Sequence, residues 1–212
     1  MKPIIFARIA DMEYYRGKTD TDIPHNGGSY IEEHDDGGEC YNFLPVTIDD
    51  EKCCLGYVRL IGNTSLRLEN IIGCSACEKE DVIDGVTVVW CATQRDGKST
   101  RVVGFYKNAT VYRYTQEVEF CDDNGEVCDW QEYNFIAKKE DCVLIPRHDR
   151  YTKSEWYIPL SGKHGYTFGF GRSHIWYGNG ERKNRAEQEF VERMIKSIDN
   201  YKGKNLIDEE VV

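Results

Sequence analysis

The sequence has no apolar run that could cross a membrane, which takes about eighteen consecutive apolar residues. Its N-terminal segment is also too short to act as a signal peptide, because Arg8 and Asp11 interrupt the apolar residues. These absences predict a cytoplasmic protein with no membrane partner.

The familiar catalytic motifs are missing as well. The chain lacks a glycine-rich phosphate loop, a Gly-x-Ser-x-Gly elbow and a paired-histidine metal motif. Two groups of carboxylates have the composition of a nuclease metal site: Asp35, Asp36 and Glu39, and Asp122, Asp123 and Glu126. Acidic residues in turns explain both groups more simply. The sequence therefore predicts no catalytic residue, metal or cofactor, and a metal-dependent nuclease remains an alternative.

Cysteine, in contrast, is abundant. Nine cysteines in a chain without an export signal indicate reduced thiols that pack as small apolar side chains. Cys74 and Cys77 have the spacing of a zinc-binding pair, but a zinc site needs two such pairs. The second could only be Cys53 and Cys54, which would point to opposite sides of a strand. Zinc is therefore not expected.

Length and composition favour one large folded unit. The chain has 212 residues, of which 40% are hydrophobic and 12% aromatic, enough to bury a core. We expect a single domain over residues 1–204, with a long acidic loop over 18–39. Residues 205–212 are predicted to form a flexible tail.

Charge is unevenly distributed along the chain, whose formal net charge is −10. Residues 20–52 hold ten acidic residues against one lysine, and residues 114–141 hold nine against two lysines. Residues 95–113 hold five basic residues against one acid, and residues 143–185 hold eight against three. The two basic segments could fold into one basic face, although the charge pattern alone favours charges that alternate over a solvated surface.

The hydrophobic pattern predicts an α+β fold. Short strands separated by turns favour a mixed or antiparallel β-barrel. The strands are expected at 3–9, 53–61, 85–93, 101–106, 108–113, 118–121, 133–137 and 142–145, with a short strand or turn at 66–72. Apolar residues three and four apart over 186–201 predict a C-terminal amphipathic helix that packs on the barrel.

Two segments place aromatic residues beside glycines and basic residues. They are 104–113 and 166–178, and Trp156 and Tyr157 precede the second. Glycines let the backbone approach a flat ligand, while rings offer stacking faces and basic groups can contact phosphates. These are the components of a pocket for an extruded base. An aromatic core with glycine bulges would explain about half of the same residues.

The sequence also resembles a known group of modules. Residues 84–90, 103–113 and 169–177 resemble N-terminal modules of bacterial HNH-type or modification-dependent restriction endonucleases, and 14–17 and 41–45 match the same group. Such modules are similar to the PUA superfamily, which includes the EVE, YTH, ASCH and SRA domains. The resemblance covers residues 2–201 and implies a PUA-like barrel with flanking helices that holds a modified base in an aromatic cage. No nuclease motif is present, so cutting would need another domain or subunit.

Carried onto this sequence, the resemblance assigns roles to individual residues. Base-binding positions are Trp90, Phe105, Tyr106, Asn108, Tyr112, Ser173, Trp176 and Tyr177. Tyr106 and Trp176 are the preferred stacking pair, and Asn108 and Ser173 would read the base edge. Trp90 ends a buried strand, which favours a core position over a ligand contact. Phosphate-binding positions are Lys107, Arg113 and Arg172.

The leading hypothesis is a non-catalytic reader of double-stranded DNA. It would flip a methylated or hydroxymethylated base into the cage, as the specificity module of a restriction or anti-phage system. The alternative is a binder of a free nucleotide or a similar small ligand, since a pocket for an extruded base can also hold a soluble one.

Overall fold

The computed structural model describes residues 2–26, 37–60, 65–74, 78–122, 124–179 and 184–209. Within these ranges nine strands form one mixed sheet, accompanied by two α-helices and several short 3-10 turns. The strands are β1 (Ile4–Ile9), β2 (Pro45–Ile48), β3 (Glu51–Gly56), β4 (Val82–Thr93), β5 (Thr100–Cys121), β6 (Val127–Lys138), β7 (Cys142–Leu144), β8 (Tyr157–Ile158) and β9 (Ile175–Trp176). The helices are α1 (Arg147–Thr152) and α2 (Arg185–Asp199).

The strand order of the sheet is β2-β3-β6-β5-β4-β1-β9, and the short strands β7 and β8 also pair with β5. All neighbours are antiparallel except β1 and β4, which run parallel. The fold is therefore a mixed α+β fold dominated by a sheet, as the sequence predicts. The sheet is not closed among the described residues, so a barrel is not confirmed.

Each face of the sheet carries its own core. Ile5, Ala7 and Ile9 of β1 pack into the first core. Ile4 and Phe6 point the other way, into the second core. Because successive strand residues point to opposite faces, a strand buried on both sides has an almost continuous apolar sequence. This explains the apolar runs that mark β1 and β4 in the sequence.

Helix α2 confirms the predicted amphipathic helix. The Asn184 side chain caps its first turn by accepting a 3.3 Å hydrogen bond from the Glu187 backbone N–H. The apolar side of the helix covers the second core with the buried side chains of Phe190, Val191, Met194 and Ile198. Helix α1 is too short for periodicity to reveal, and the sequence did not predict it.

The prediction of a flexible tail from residue 205 is wrong for 205–209. Leu206 and Ile207 are buried in the first core within a 3-10 turn (Leu206–Asp208). The Asn205 side chain accepts hydrogen bonds from the backbone N–H groups of Leu144 (2.9 Å) and Ile207 (3.2 Å) and donates one to the carbonyl of Cys142 (3.0 Å). Asn205 therefore holds residues 205–209 against β7. Residues 210–212 lie outside the described residues.

The long acidic loop predicted over 18–39 is described at 18–26 and 37–39. Its first part is attached to the segment after β1 by Asp22, whose carboxylate accepts 2.7 Å hydrogen bonds from the backbone N–H groups of Glu13 and Tyr14. The candidate metal residues Asp35, Asp36 and Asp123 lie outside the described residues, as does Cys77.

Strand β5 joins three predicted strands into one of 22 residues. Its last part pairs with β6 from Gln116↔Tyr133 onward and forms a two-stranded extension of the sheet. We call residues 114–133 the acidic arm, since they contain seven acidic residues and neither lysine nor arginine. Trp130 on this arm is 60% exposed, and it is the most exposed large apolar side chain of the described residues.

Candidate functional site

The described cysteines are free thiols, and most of them are buried. Among the described residues no cluster of three or more histidine, cysteine or carboxylate side chains has an arrangement that could hold a metal ion. No helix in the described ranges has the length and apolarity needed to span a bilayer.

Polar side chains gather where β1 and β4 end. These two strands run parallel, so their carboxyl ends lie at the same edge of the sheet. In open sheets with parallel strands, ligands commonly bind just beyond such ends. Strand β1 ends at Ile9 and is followed by Asp11, while β4 ends at Thr93 and leads into the turn that carries Arg95.

Asp11 is the centre of the cluster. Its side chain is 1% exposed and accepts hydrogen bonds from Nη2 of Arg147 (3.2 Å) and from the hydroxyl of Tyr151 (3.1 Å). The guanidinium of Arg95 approaches the same carboxylate, with Nε 4.0 Å from Oδ2. On the main chain, Asp11 and His25 exchange two hydrogen bonds of 2.6 and 3.1 Å. One buried carboxylate thus fixes side chains from two distant segments.

Local structure explains the position of each partner. Arg147 and Tyr151 are four residues apart on α1, so both side chains lie on one face of the helix. Arg95 lies in the β4–β5 turn, which is closed by hydrogen bonds between Gln94 and Ser99. The Asn26 amide donates a 2.6 Å hydrogen bond to the carbonyl of Gln94, which holds the turn against the segment after β1.

Fully buried Arg150 fixes the backbone next to Asp11. Its guanidinium donates hydrogen bonds to the backbone carbonyls of Ile145 (2.6 Å), Met12 (2.6 Å) and Glu13 (2.7 Å). Such a buried cation needs acceptors on every side, and carbonyl groups provide them here. Arg150 therefore fixes the chain just after Asp11 and is unable to reach a ligand.

Burial raises the pKa of Asp11, and the opposing fields of Arg147 and Arg150 and the Tyr151 hydrogen bond partly compensate for it. The side chains of Arg95 and Arg147 are 45% and 22% exposed, against 1% for Asp11. Both arginine side chains are therefore partly exposed, whereas the carboxylate that they contact is buried. Arg147 has a second, longer contact of 4.0 Å with Glu13, which is partly exposed.

A second polar group flanks the other side of the same strand end. The Arg8 backbone N–H donates a 2.7 Å hydrogen bond to the carbonyl of His174, and its guanidinium lies 5.4 Å from the ring centre of Phe170. Nδ1 of His174 is 3.1 Å from the carbonyl oxygen of Arg59. Because a carbonyl only accepts, Nδ1 carries the proton. Burial and then the charge of Arg8 lower the pKa of His174, which favours the neutral ring.

Glu39 completes this group. Its carboxylate is buried and accepts a 2.7 Å hydrogen bond from the Ala10 backbone N–H. Burial raises the pKa of Glu39 to about 7, although the Ala10 hydrogen bond and the charge of Arg59 oppose the shift. We call the whole region the β1 edge: residues 8–13 with Glu39, Arg59, Arg95, Arg147, Tyr151 and His174.

The residues predicted to form the aromatic cage lie elsewhere, in the two cores. Tyr106 is fully buried in the first core, where its hydroxyl donates a hydrogen bond to the carbonyl of Asn42. Trp90 is buried beside it, with ring centres 5.3 Å apart in an edge-to-face arrangement. These two rings fill the interior, so neither can stack on a ligand without unpacking the core.

Trp176 and Phe105 belong to the second core, on the opposite face of the sheet from Tyr106. Trp176 stacks on Phe6 with ring centres 4.4 Å apart, and its indole N–H donates a 2.8 Å hydrogen bond to Glu187. The predicted stacking pair of Tyr106 and Trp176 is therefore wrong. The two residues cannot line one slot, because the sheet separates them.

Arg113 is not available to a phosphate, so this assignment is also wrong. Its side chain is 12% exposed and donates hydrogen bonds to the carbonyls of Glu80, Leu66 and Glu78 and to the carboxylate of Glu69. Arg113 thereby holds the connection between β3 and β4 against β5. The fixed guanidinium fork is used for structure rather than recognition.

The remaining base-binding positions are dispersed. Tyr112 packs edge-to-face on Tyr133 with ring centres 5.6 Å apart. The amide of Asn108 donates to Asp141 at 3.1 Å, and the hydroxyl of Tyr177 accepts a 2.8 Å hydrogen bond from the Arg67 backbone N–H. They share no common site.

Three other predicted positions are nearer the surface. Lys107 lies with Nζ 5.5 Å from the ring centre of Phe105. Arg172 and Ser173 are exposed next to His174, so the chain brings them to the β1 edge. The Ser173 hydroxyl accepts a 3.0 Å hydrogen bond from the Ile175 backbone N–H, and its carbonyl accepts one from Arg8.

Sequence reasoning missed Asp11, Arg95, Arg147 and Tyr151 as site residues. The charge distribution was the signal that pointed to them, since Arg95 and Arg147 come from the two basic segments, 95–113 and 143–185. One residue from each segment contacts Asp11, so the two segments approach each other there. Comparison with known protein families, curated proteins and solved structures finds no match.

Proposed function

We propose that the protein binds nucleic acid through the β1 edge. The observation that carries the proposal is the position of Arg95 and Arg147, which contact the buried carboxylate of Asp11 through side chains that are 45% and 22% exposed. A guanidinium group matches two phosphate oxygens at once, and a fixed guanidinium loses less conformational entropy on binding. The arrangement therefore supports binding of a phosphate group.

The surroundings favour a long anion over a single phosphate. Arg8, Arg59 and Arg172 lie on the other side of the same strand end, which extends the basic surface beyond the Asp11 cluster. The acidic arm is at the far end of β5 from Arg95, so charge is separated along this strand. Such separation orients a polyanion toward the β1 edge even though the net charge is −10.

We extend the proposal to the type of nucleic acid and to the biological role. The resemblance implies a PUA-superfamily barrel that reads a modified base in double-stranded DNA for a nuclease domain or subunit, in restriction or anti-phage defence. The mixed sheet with a helix packed on one face is compatible with that architecture, although the described sheet is open. Because the predicted cage rings are core residues, base recognition would depend on other side chains near the β1 edge.

Salt-dependent DNA binding tests the proposal. The anisotropy of a short labelled duplex is titrated with the protein at about 50 to 200 mM salt, and the slope of log K against log salt counts phosphate contacts. Arg95→Gln should weaken binding and reduce the slope by about one, whereas Arg95→Lys should keep most of the slope. Arg193→Gln, a matched change on the exposed side of α2, should leave both quantities unchanged.

The other outcomes separate the alternatives. Duplexes with methylated or hydroxymethylated cytosine beside unmodified ones test the modified-base reader directly. Binding of free nucleotides with little salt dependence would favour the small-ligand alternative, and metal-dependent cleavage of the duplex would favour the nuclease. Equal duplex binding by the native protein, Arg95→Gln and Arg193→Gln would overturn the assignment of the β1 edge.

A further inference from the structure

A group of aromatic and basic side chains lies at the margin of the second core, where Tyr166 packs on Phe168 with ring centres 5.4 Å apart. Arg101 lies over the ring of Tyr157, with its guanidinium carbon 5.3 Å from the ring centre. The ring centres of Tyr157 and Tyr166 are 5.9 Å apart, and their planes are inclined by 37°. All three side chains are half-buried, unlike the rings of Trp90, Phe105 and Tyr106.

Strand pairing explains the first contact. Arg101 of β5 is directly opposite Tyr157 of β8, and directly opposite residues in antiparallel strands point to the same face. The next residue, Ile158, points into the second core, so Tyr157 must point away from it. The aromatic ring of Tyr157 is thereby brought beside a cation by the register of two short strands.

Tyr166 is positioned by a tight turn. Its backbone N–H donates a 3.0 Å hydrogen bond to the carbonyl of Lys163, and its carbonyl accepts a 2.8 Å hydrogen bond from Gly162. Gly162 and Gly165 both have positive φ angles, which glycine adopts without strain. Lys163 and His164 are exposed in the turn, so basic side chains also flank Tyr166.

One hydrogen bond links this group to the turn that carries Arg95. Nε of Arg101 donates a 3.3 Å hydrogen bond to the Ser99 hydroxyl, and Ser99 belongs to the same β4–β5 turn as Arg95. The turn thus places Arg95 near the start of β5 and Arg101 on that strand, and Arg101 in turn contacts Tyr157. Half-buried rings beside arginine and lysine are the usual surface on which unpaired bases stack.

We infer that Arg101, Tyr157 and Tyr166 form a stacking platform for an unpaired base of a single-stranded nucleic acid whose phosphates contact the β1 edge. The inference rests on the proposed binding of nucleic acid by the β1 edge, and it replaces the double-stranded ligand that the resemblance implies with a single-stranded one. Stacking needs only the flat face of a base, so the platform accepts different bases and gives little sequence preference.

A single-stranded oligonucleotide that carries the fluorescent base 2-aminopurine tests the platform. Stacking on tyrosine is expected to quench the probe, and Tyr166→Ala or Tyr157→Ala should remove that quenching. Each alanine variant should also weaken binding by about 5- to 150-fold, the effect of losing about one stacked base. Tyr157→Phe and Tyr166→Phe keep the rings and should retain both quenching and affinity.

Controls separate stacking from folding and from charge. Tyr114→Ala removes a 51% exposed ring from the acidic arm and should bind like the native protein. The alanine variants should keep the salt slope of the native protein, because no phosphate contact is lost. If one alanine variant fails to fold by circular dichroism, the other still reports on the platform, because each ring contributes its own stacking face.

Different results would overturn the stacking platform and the phosphate site. Native affinity and quenching in the alanine variants would overturn the platform and leave phosphate binding by Arg95 intact. Equal losses in the phenylalanine and alanine variants would show that hydroxyl groups act instead of ring faces, which also overturns it. Absence of any oligonucleotide or duplex binding by the native protein would overturn the proposed function and the platform together.

Discussion

Arg147 donates a 3.2 Å hydrogen bond to Asp11, although the two residues are 136 positions apart in the sequence. The contact joins the start of α1 to the end of β1, and Tyr151 reinforces it with a second hydrogen bond to the same carboxylate. Arg95 reaches that carboxylate from the β4–β5 turn. Three separate parts of the fold therefore depend on one buried side chain.

Asp11→Ala should destabilise the fold because it removes the buried acceptor of the hydrogen bonds from Arg147 and Tyr151. We expect the free energy of unfolding to fall by about 2 to 4 kcal/mol, the usual range when one partner of a buried charged contact is removed. Urea denaturation measures the change. Tyr151→Phe removes one neutral donor and should cost about 1 kcal/mol. A smaller loss for Asp11→Ala than for Tyr151→Phe would contradict the central role of the carboxylate.

The sequence predicts the elements whose apolar residues follow a regular pattern. The spacing of apolar residues identifies α2 to within two residues at each end, and the run 85–93 identifies most of β4. Both elements are long and bury a continuous surface, so periodicity is a strong signal for them. Helix α1 has six residues and no complete apolar stripe, which leaves nothing for a pattern to detect.

The aromatic runs were misinterpreted for a physical reason. Phe105 and Tyr106 are consecutive strand residues, so they enter different cores on opposite faces of the sheet. Gly104, the residue before Phe105, lets β5 pack closely on its neighbours. A Cβ at this position would collide with the ring of Phe43 and the backbone carbonyl of Val143. The order of aromatic residues in the sequence does not show whether they line one pocket or enter two cores. The pairing of the strands determines which face of the sheet each ring points to.

The candidate site could not be predicted from the sequence, because its residues come from different segments. Asp11, Arg95 and Arg147 share no motif, and only the parallel pairing of β1 with β4 and the docking of α1 bring them together. The charge pattern indicated which segments would meet but not at which residues. Tyr157, Tyr166 and Tyr177, which lie in or beside the second aromatic run, are half-buried, whereas Phe168, Phe170 and Trp176 of that run are buried.

Tryptophan substitutions distinguish core rings from surface rings. Trp176→Ala removes a ring that stacks on Phe6 and bonds to Glu187, so the free energy of unfolding should fall by about 3 to 5 kcal/mol. Trp130→Ala on the acidic arm should change it by less than about 0.5 kcal/mol. Thermal and urea denaturation of both variants provide the comparison. A Trp176→Ala protein with native stability would instead restore that ring as a candidate ligand contact.

The C-terminal segment offers a test of the ordered 205–209 region. Asn205→Ala removes three hydrogen bonds to the backbone of β7 and of the final turn, so we expect a loss of about 1 to 3 kcal/mol in stability. Proteolysis at the C-terminus should also become faster, because Leu206 and Ile207 are released from the first core. Lys202→Ala, an exposed position nearby, serves as the control. Equal proteolysis rates for the two variants would mean that Asn205 does not hold the segment.

Glu39 should make stability depend on pH. Burial raises its pKa from the ordinary value of 4.5 to about 7, so the folded chain holds the proton more tightly than the unfolded chain does. The stabilisation by protonated Glu39 is complete below pH 4.5, declines as the pH rises through this window, and is lost above pH 7. Each pH unit within the window changes the free energy of unfolding by at most about 1.4 kcal/mol.

Glu39→Gln isolates this contribution, because the amide oxygen can still accept the hydrogen bond from the Ala10 backbone N–H. The stability of the variant relative to the native protein should rise between pH 4.5 and 7 by about 2 to 3 kcal/mol and then stay constant. Urea denaturation at a series of pH values measures the difference. Glu192→Gln, on the exposed side of α2, is the matched control and should run parallel to the native protein. If the Glu39→Gln curve is also parallel, Glu39 does not take up its proton in this window, and the charges of Arg59 and the neighbouring backbone outweigh burial.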